Sequence, residues 1–338
     1  MEVKVTVYGL GGSCWMIDGL QGWVVGDVMD ALEAMTGVPR REQRILADTT
    51  ELKDTDELDS DAAHLSLLVR NPECAIWLER IQNAEFPQDE FKRAPEHIKE
   101  HREISLAVVA RHGFSLKVLP EEMCDDKEVV LCAVQQTGTA LAHASANLRA
   151  NQEVVLAAVK QHGAALEAAS EELKADRNVV LTAVNSQGRA LRFASEELRA
   201  DPAIVSTAAS KDIGALAFAS KEILANKDVM LRLVQHNPSA LRHASEDLQK
   251  DWGLLLQAVK QDPSVVKHAS KELRANREFM CLAVEQNGFA LEYAVKALRN
   301  DPKVLLAAVE QQCQAFQYAH PGLQEIAWKT AVPAGYAN

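Results

Sequence analysis

The stretch NQEVVLAAVKQHGAALEAASEELKA, residues 151–175, decides the fold of this chain because its pattern recurs every 25 residues. Nine consecutive blocks of this length, from His101 to Glu325, align without a gap. Position 16 of the block is leucine in seven of the nine, position 19 is alanine in eight, and position 20 is serine in six. Regularity of this kind is typical of repeat proteins, in which each copy packs against the next.

Each block is predicted to form two helices. Position 1 is aspartate or asparagine in the last eight blocks, and both residues favour helix N-caps. Apolar residues at positions 4, 5, 8 and 9 form one face of the helix that follows, and position 6 widens this face. Glycine at position 13, as in Gly163, is expected to end the helix in the left-handed conformation. A second, shorter helix is predicted over positions 14 to 19, after which serine at position 20 caps a tight turn ending at position 23.

A helix pair of this length cannot bury its own apolar face, so residues 101–325 are predicted to stack as an all-α helical-repeat solenoid. Alanine at positions 8 and 19 is expected to let neighbouring helices approach closely. Residues 71–100 follow the pattern imperfectly, and we interpret them as a linker and a degenerate N-terminal capping repeat. Residues 326–338 are predicted to form a C-terminal tail.

Residues 1–70 do not share the repeat. Valines that alternate with polar residues, as at positions 3, 5 and 7, predict a half-buried strand. The predicted elements are strands over 3–7, 14–17, 44–47 and 65–69 and a helix over 27–35. A β-hairpin, a helix and further strands in this order are typical of a β-grasp domain.

Residues 1–70 resemble ubiquitin. The resemblance is carried by Gly37-Val38-Pro39, Glu42-Gln43-Arg44-Ile45-Leu46, Glu51-Leu52-Lys53-Asp54 and the segment HLSLLVR over residues 64–70. It implies an α+β ubiquitin-like β-grasp fold and an apolar partner-binding patch at Leu10, Leu46 and Leu68, with Ser66 at the patch's histidine position. Asn-Pro-Glu follows Arg70 where conjugated ubiquitin has two glycines. The domain therefore resembles the built-in, non-conjugated ubiquitin-like domains of adaptor proteins.

The repeat half resembles an uncharacterised family of tandem repeats from protists and large viruses. Its pattern is D-x-x-V-V-L-x-A-V-x-x-x-G-x-A-L-x-x-A-S-x-x-L, and residues 151–175 match it nearly throughout. This second resemblance implies the helical-repeat fold and carries no activity with it.

No catalytic, metal-binding or cofactor-binding constellation is recognised in the sequence. Polar residues that recur at one block position indicate a structural role, since a nucleophile would not be copied six times. His97 and His101 lie four residues apart but lack a fixed third ligand, which favours solvated helix side chains over a metal site. The glycine-rich turn at 9–12 joins two predicted strands, whereas a phosphate-binding loop opens a helix. We therefore expect no enzyme activity, no cofactor and no metal.

Position 18 carries a ring in seven of the nine blocks. These residues are His143, Phe193, Phe218, His243, His268, Tyr293 and Tyr318. The favoured interpretation is that the rings shield the edges of the stack. The first alternative is a groove for a protein partner, and the second is a ladder that stacks nucleic-acid bases. Against the second, position 17 mixes basic with acidic residues, and 48 acidic against 36 basic residues leave the chain a net charge of −12.

The sequence favours a non-enzymatic scaffold or adaptor that binds protein partners through the solenoid surface and the ubiquitin-like domain. One alternative is a peripheral structural subunit of a large protist complex, for example a complex of an organelle. Another is a regulator in the ubiquitin pathway. Six scattered cysteines predict reduced, mostly buried thiols, and no apolar run reaches the 18 residues of a membrane span. We expect a cytoplasmic location, or an organellar one if a leader has been removed.

Overall fold

The computed structural model describes residues 2–9, 12–20, 23–48, 50–58 and 64–319. The chain divides into two compact units, residues 1–145 and 146–338, and each is described by itself. The predicted fold class is confirmed, with an N-terminal ubiquitin-like β-grasp sheet followed by helical repeats. Leu10 and the predicted tail at 326–338 lie outside the described residues.

Five strands and one helix form the β-grasp domain. They are β1 (Glu2–Gly9), β2 (Cys14–Leu20), α1 (Val25–Thr36), β3 (Gln43–Ala47), β4 (Thr50–Glu51) and β5 (His64–Val69). The sheet order is β2-β1-β5-β3-β4, with β1 and β5 parallel and the other neighbours antiparallel. Strand β4 was not predicted because two residues are too few to show an alternating pattern.

One face of the sheet packs against α1. Residues such as Val7, Ile45 and Leu67 on the strands and Val28 and Leu32 on the helix are buried in a single core. The helix begins where Asp27 accepts a hydrogen bond from the backbone N–H of Val24 at 2.9 Å, and it ends at Gly37, whose φ of 73° places it in the left-handed region. The opposite face of the sheet holds the side chains that alternate with these core residues.

Three helices, α2 (Pro72–Asn83), α3 (Pro87–Arg93) and α4 (Glu96–Lys99), follow the β-grasp domain. The Asn71 side chain caps α2 by accepting from the N–H of Glu73 at 2.8 Å. Phe91, Ala94 and Ile98, which occupy positions 16, 19 and 23 of a block preceding His101, are all buried. The later part of this segment therefore packs in register with the repeats.

Each of the first eight repeats contains three short helical elements, and the described part of the ninth contains two. We number the repeats one to nine from residue 101. The first helices are Arg102–Arg111, Lys127–Gln136, Gln152–Gln161, Arg177–Ser186, Pro202–Lys211, Lys227–His236, Trp252–Gln261, Arg277–Gln286 and Pro302–Gln311. The 3₁₀ helices are Gly113–Val118, Gly138–His143, Gly163–Ala168, Gly188–Phe193, Ile213–Phe218, Pro238–His243, Pro263–His268, Gly288–Tyr293 and Cys313–Tyr318.

A one-turn third helix closes most repeats. These helices are Glu121–Cys124, Ala146–Arg149, Glu171–Lys174, Glu196–Arg199, Lys221–Leu224, Lys271–Arg274 and Lys296–Arg299, with a 3₁₀ turn, Leu248–Lys250, in repeat six. The predicted second, shorter helix over positions 14 to 19 is a 3₁₀ helix that occupies positions 13 to 18. The predicted tight turn after position 20 is a helical turn.

The predicted N-caps are confirmed. In each repeat from two to nine, the aspartate or asparagine at position 1 accepts backbone hydrogen bonds from the first turn of its helix. Serine at position 20 does the same for the third element; for example, Ser270 accepts from the N–H of Leu273 at 3.2 Å.

The role predicted for glycine at position 13 is wrong. None of these glycines has a positive φ, and the residue before each is extended, with φ near −150°. A Cβ on Gly188 would lie 2.5 Å from the carbonyl oxygen of Ala208 in the next repeat. A Cβ on Gly288 would lie at the same distance from the carbonyl oxygen of Ala308. Glycine is therefore required by the close approach of the next backbone and not by a left-handed turn.

Backbone hydrogen bonds also join successive repeats. In repeats three, four, five, six and eight, the N–H at position 20 donates to the carbonyl at position 24 of the repeat before, as from Ser195 to Lys174 at 2.9 Å and from Ser245 to Leu224 at 2.9 Å. Positions 4, 5, 8 and 9 are buried in all nine repeats, and they form the core of the helical repeats within each unit.

Two further properties concern the part of the chain that the structure describes. Cys74 is buried, whereas Cys14 and Cys313 are exposed and the other three cysteines are half-buried, so the prediction of mostly buried thiols is wrong. No described helix combines the length and apolar character needed to cross a bilayer.

Candidate functional site

The outer face of the β-grasp sheet brings two of the three predicted patch residues together. Leu46 on β3 lies opposite Ser66 on β5, and Leu68 follows two residues later on the same face. Both leucines are half-buried. In this antiparallel pair the two side chains are diagonal neighbours, within contact range for long side chains.

Two residues that the sequence analysis did not select extend this face. Tyr8 on β1 lies opposite Ser66 and is 43% exposed, and Met16 on β2 lies opposite Thr6 and is 72% exposed. The alternation of both strands could have identified Tyr8 and Met16. Their neighbours in sequence, Val7 and Ile17, are core residues, so Tyr8 and Met16 must lie on the opposite face. We call Tyr8, Met16, Leu46 and Leu68 the outer-sheet patch.

Charged residues border the patch. Arg44 lies opposite Leu68 and forms an ion pair with Glu51 at 2.6 Å. The hydrogen bond to Glu51 is the main reason that the pKa of the Arg44 guanidinium is raised. An apolar centre with a charged border is the usual composition of a protein-binding surface.

Arg70, at the end of β5, connects the β-grasp domain to the helices that follow. Its guanidinium donates to Glu103 at 2.7 Å, to the carbonyl of Gln43 at 2.7 Å and to Glu51 at 3.0 Å. Its side chain is 18% exposed, so these charge-assisted bonds are partly shielded from water. The strand therefore continues into α2 through a fixed residue.

The ring-bearing residues at position 18 are half-buried in every repeat that has one. His143 packs edge-on against Phe114, with centroids 5.1 Å apart, and Tyr318 packs against Phe289 at 6.3 Å. In both pairs the partner is position 14 of the preceding repeat. Part of each ring surface is therefore used within the stack, and partner binding through the exposed edges stays a prediction.

Burial shifts the titration of these rings. It lowers the pKa of the His143, His243 and His268 side chains, and neighbouring cations such as Arg242 lower it further. Burial likewise raises the pKa of the Tyr293 and Tyr318 hydroxyls. The three histidines are therefore mostly neutral at pH 7.

One ring lies beside a cleft of ≈610 Å³. Phe193 lines it, and the guanidinium of Arg192 lies 4.5 Å from the centre of the Phe193 ring. Glu167, Arg189 and Asp212 also line the cleft, and Arg189 pairs with Asp212 at 2.5 Å. The charges are mixed, so this part of the ring row presents no continuous basic surface for a nucleic-acid backbone.

The two histidines considered as metal ligands have other positions. His97 lies 3.1 Å from Glu73, and His101 is the residue before the first helix of repeat one. Within residues 2–9, 12–20, 23–48, 50–58 and 64–319, no three histidine, cysteine, aspartate or glutamate side chains converge as a metal site.

The family model described as "Domain of unknown function (DUF4116)" matches the helical repeats. The matched residues are 101–149, 126–174, 151–199, 176–224, 226–274 and 276–324. The chain belongs to the DUF4116 family. Each match covers about two of the repeats described above, so the DUF4116 unit corresponds to a pair of stacked repeats. No curated protein matches the chain.

Two solved structures are similar to parts of the chain. Ubiquitin from Caldiarchaeum subterraneum shares 25% identity, covers 21% of this chain and 96% of its own, and has a TM-score of 0.20. A crystal structure of ATBAG1 in complex with HSP70 shares 12% identity, covers 40% of this chain and 89% of its own, and has a TM-score of 0.19. The strand order and helix positions of this chain, and not these similarities, define its fold.

Proposed function

We propose that this DUF4116 protein is a non-enzymatic scaffold or adaptor that binds protein partners at two linked surfaces. The outer-sheet patch is one surface, and the stacked repeats provide the other. The observation that carries the proposal is the patch itself, in which Tyr8, Met16, Leu46 and Leu68 share the sheet face opposite α1. Clustered, partly exposed apolar side chains on a rigid sheet are typical of protein-binding sites.

The end of the β-grasp domain supports a built-in rather than a conjugated role. Strand β5 ends at Val69, and α2 begins at Pro72. The intervening Arg70 is held by Gln43, Glu51 and Glu103. A conjugated ubiquitin needs a free C-terminal tail, and at this point the chain continues directly into a helix.

The repeats support the second surface because the polar residues that recur from repeat to repeat form hydrogen bonds within the stack, which leaves the variable exposed positions for partners. Positions 1 and 20 cap helices, and position 20 also bonds to the repeat before. Positions 3 and 10 are exposed in almost every repeat, and their residues change from repeat to repeat. Two linked binding surfaces raise the effective concentration of the second contact, which favours an adaptor.

The test is crosslinking mass spectrometry on the full chain in native extract, comparing wild type with Leu46→Asp. A charge within the apolar patch is expected to reduce recovery of the patch partner at least tenfold, because hot-spot residues contribute about 2 kcal/mol or more. Met35→Asp is the matched control, since Met35 is an exposed apolar residue on α1. Thermal unfolding of both variants checks that the fold is retained.

Four outcomes separate the hypotheses. Loss of a ubiquitin receptor in Leu46→Asp would identify the partner class of the ubiquitin-pathway regulator. Quantitative co-migration with one large complex would favour the peripheral structural subunit. An unchanged partner set in Leu46→Asp would refute binding at the patch, and turnover of a small molecule without any partner would refute the scaffold.

A further inference from the structure

The junction between repeats five and six is built differently from the other junctions in residues 146–319. At junctions with glycine at position 13, such as Gly188 with Ala208 and Gly288 with Ala308, a small residue meets a small residue of the next repeat. Between repeats five and six, the corresponding residues are Ile213 and Leu233. Two branched side chains thus replace the pair of small residues at this junction, and the first helices of these two repeats are in less contact than those of the neighbouring repeats.

Repeat five also has smaller side chains than the other repeats at two positions of its first helix. Position 6 is leucine in seven of the nine repeats but Ser206 here, and position 9 is valine in the other eight but Ala209 here. The result is a cleft of ≈670 Å³ between the first helices of repeats five and six. Its lining includes Ala203, Ile213 and Leu233. This volume lies within the range of ordinary binding sites, roughly 300–1,000 Å³.

The polar groups of the cleft differ between its two walls. On repeat five, the hydroxyls of Ser206 and Ser210 donate to backbone carbonyls of their own helix at 2.6 and 2.7 Å, so their donors are satisfied. On repeat six, Arg232 and His236 lie one turn apart and are both exposed. The wall of repeat five therefore has no charged side chain and its serine donors are already used, whereas the wall of repeat six carries the charge of Arg232.

Arg232 has no carboxylate partner among the described residues. Its Nε lies 3.4 Å from the backbone carbonyl of Asp228, and neither residue takes part in an ion pair within 4.0 Å. None of the residues that line the cleft is acidic. In a chain with a net charge of −12, this is a local cationic site beside an apolar surface, and it matches an apolar ligand that carries a carboxylate.

We propose that this cleft binds a short acidic–apolar peptide segment of a protein partner. An apolar side chain fills the space between Ala209 and Leu233, and a neighbouring carboxylate accepts hydrogen bonds from Arg232 and His236. The lining residues on the first helix of repeat five run from Pro202 to Ser210, about 12 Å along the helix, which an extended peptide of four residues spans. This inference rests on the proposed function, because it gives the partner chemistry of one solenoid site.

The test is fluorescence polarisation with fluorescein-labelled eight-residue peptide pools and the full chain. The acidic pool carries two central positions drawn from Leu, Ile, Val, Met and Phe, flanked by Asp and Glu. The neutral pool has Asn and Gln at the flanks. We expect the acidic pool to bind at least tenfold more tightly than the neutral pool, with affinity that falls as salt rises.

Two variants localise the binding. The double substitution Ser206→Leu and Ala209→Val inserts the side chains that most other repeats carry, so it fills the cleft without departing from the repeat pattern. Arg232→Gln removes the charge. Each is expected to weaken binding of the acidic pool at least tenfold, while Lys260→Gln, an exposed charge loss on repeat seven, leaves it unchanged.

The proposal is overturned if the acidic pool does not bind, if the neutral pool binds equally well, or if the filled variant binds like wild type. Saturable binding of dodecanoate without peptide binding would instead assign the cleft to a small amphipathic anion. If partners sensitive to Leu46→Asp persist while the peptide test fails, this inference falls and the scaffold function stands.

Discussion

A single missing side chain sets the close spacing of the repeats. Gly188 has an ordinary backbone conformation, but a Cβ there would lie 2.5 Å from the Ala208 carbonyl oxygen and 3.0 Å from the Asp212 nitrogen. Both atoms are backbone, so neither can rotate away. Position 13 is therefore glycine where the next repeat comes closest, and other residues at this position require a wider junction.

Gly188→Ala is expected to lower the free energy of unfolding by about 1–3 kcal/mol, the usual cost of overpacking. The measurement is urea unfolding followed by circular dichroism. Gly253→Ala is the matched control. The atom nearest to the added Cβ is the side-chain oxygen of Asp251 at 3.3 Å, and alanine favours a helix. Equal stability of Gly188→Ala and wild type would show that the repeats do not approach as described.

At the scale of the element, the first helix of a repeat is capped by a residue that also binds the repeat before. Asp251 accepts from the N–H of Leu254 at 3.0 Å and pairs with Lys227 at 2.5 Å. Arg277 makes the same contact with Asp301 at 2.9 Å. A basic residue at position 2 thus pairs with an aspartate at position 1 of the next repeat.

Asp251→Asn separates the two roles of this residue, because asparagine is itself a cap in repeats three, six and eight. Losing the partly exposed ion pair is expected to cost roughly 0.5 kcal/mol at pH 7. Asp251→Ala also loses the cap, for about 1 kcal/mol more. Urea unfolding of wild type and of each variant measures these two expected costs.

The cost of Asp251→Asn is expected to disappear in acid. The hydrogen bond from Lys227 holds the pKa of the Asp251 carboxyl below its usual 3.8. A lowered pKa in the folded state contributes stability that is present above the unfolded pKa and lost as pH falls through the folded pKa. Urea unfolding at pH 7 and pH 2 checks this, and a difference between wild type and variant that grew in acid would contradict it.

At the scale of the molecule, Arg70 ties the β-grasp domain to the helical part of the same compact unit. Its three hydrogen bonds reach β3, β4 and the first helix of repeat one, which are distant in sequence. Charge-assisted bonds of low exposure are stronger than surface ion pairs. The two folds therefore share part of their stability through one side chain.

Arg70→Ala is expected to lower local stability by roughly 1.5–3 kcal/mol, because two carboxylates and a carbonyl lose their donor. Hydrogen-exchange mass spectrometry of residues 64–83 gives the measurement, with exchange about ten- to a hundredfold faster than in wild type. Arg93→Ala is the control, since Arg93 is 71% exposed and pairs only with Glu90. Unchanged exchange in Arg70→Ala would show that the domains are stabilised independently.

The sequence by itself determined the repeat, its caps and the β-grasp order. Asp176 and Ser195 are readable as caps because a cap bonds to N–H groups only two or three residues away. The alternation on β1 likewise marked Val5 and Val7 as core residues, because side-chain direction in a strand follows a local rule. The choice of Leu46 and Leu68 came from the resemblance to ubiquitin.

Only the tertiary structure decided what depends on the neighbouring repeat. Glycine at position 13, the pairing of Lys227 with Asp251 and the cleft between Ala209 and Leu233 all involve residues at least 20 positions apart. Local propensity contains no information about such contacts, since they exist only after stacking has brought one repeat against the next. The same reason explains why Ile213 and Leu233, unremarkable apolar residues in the sequence, mark the one junction where a binding site is proposed.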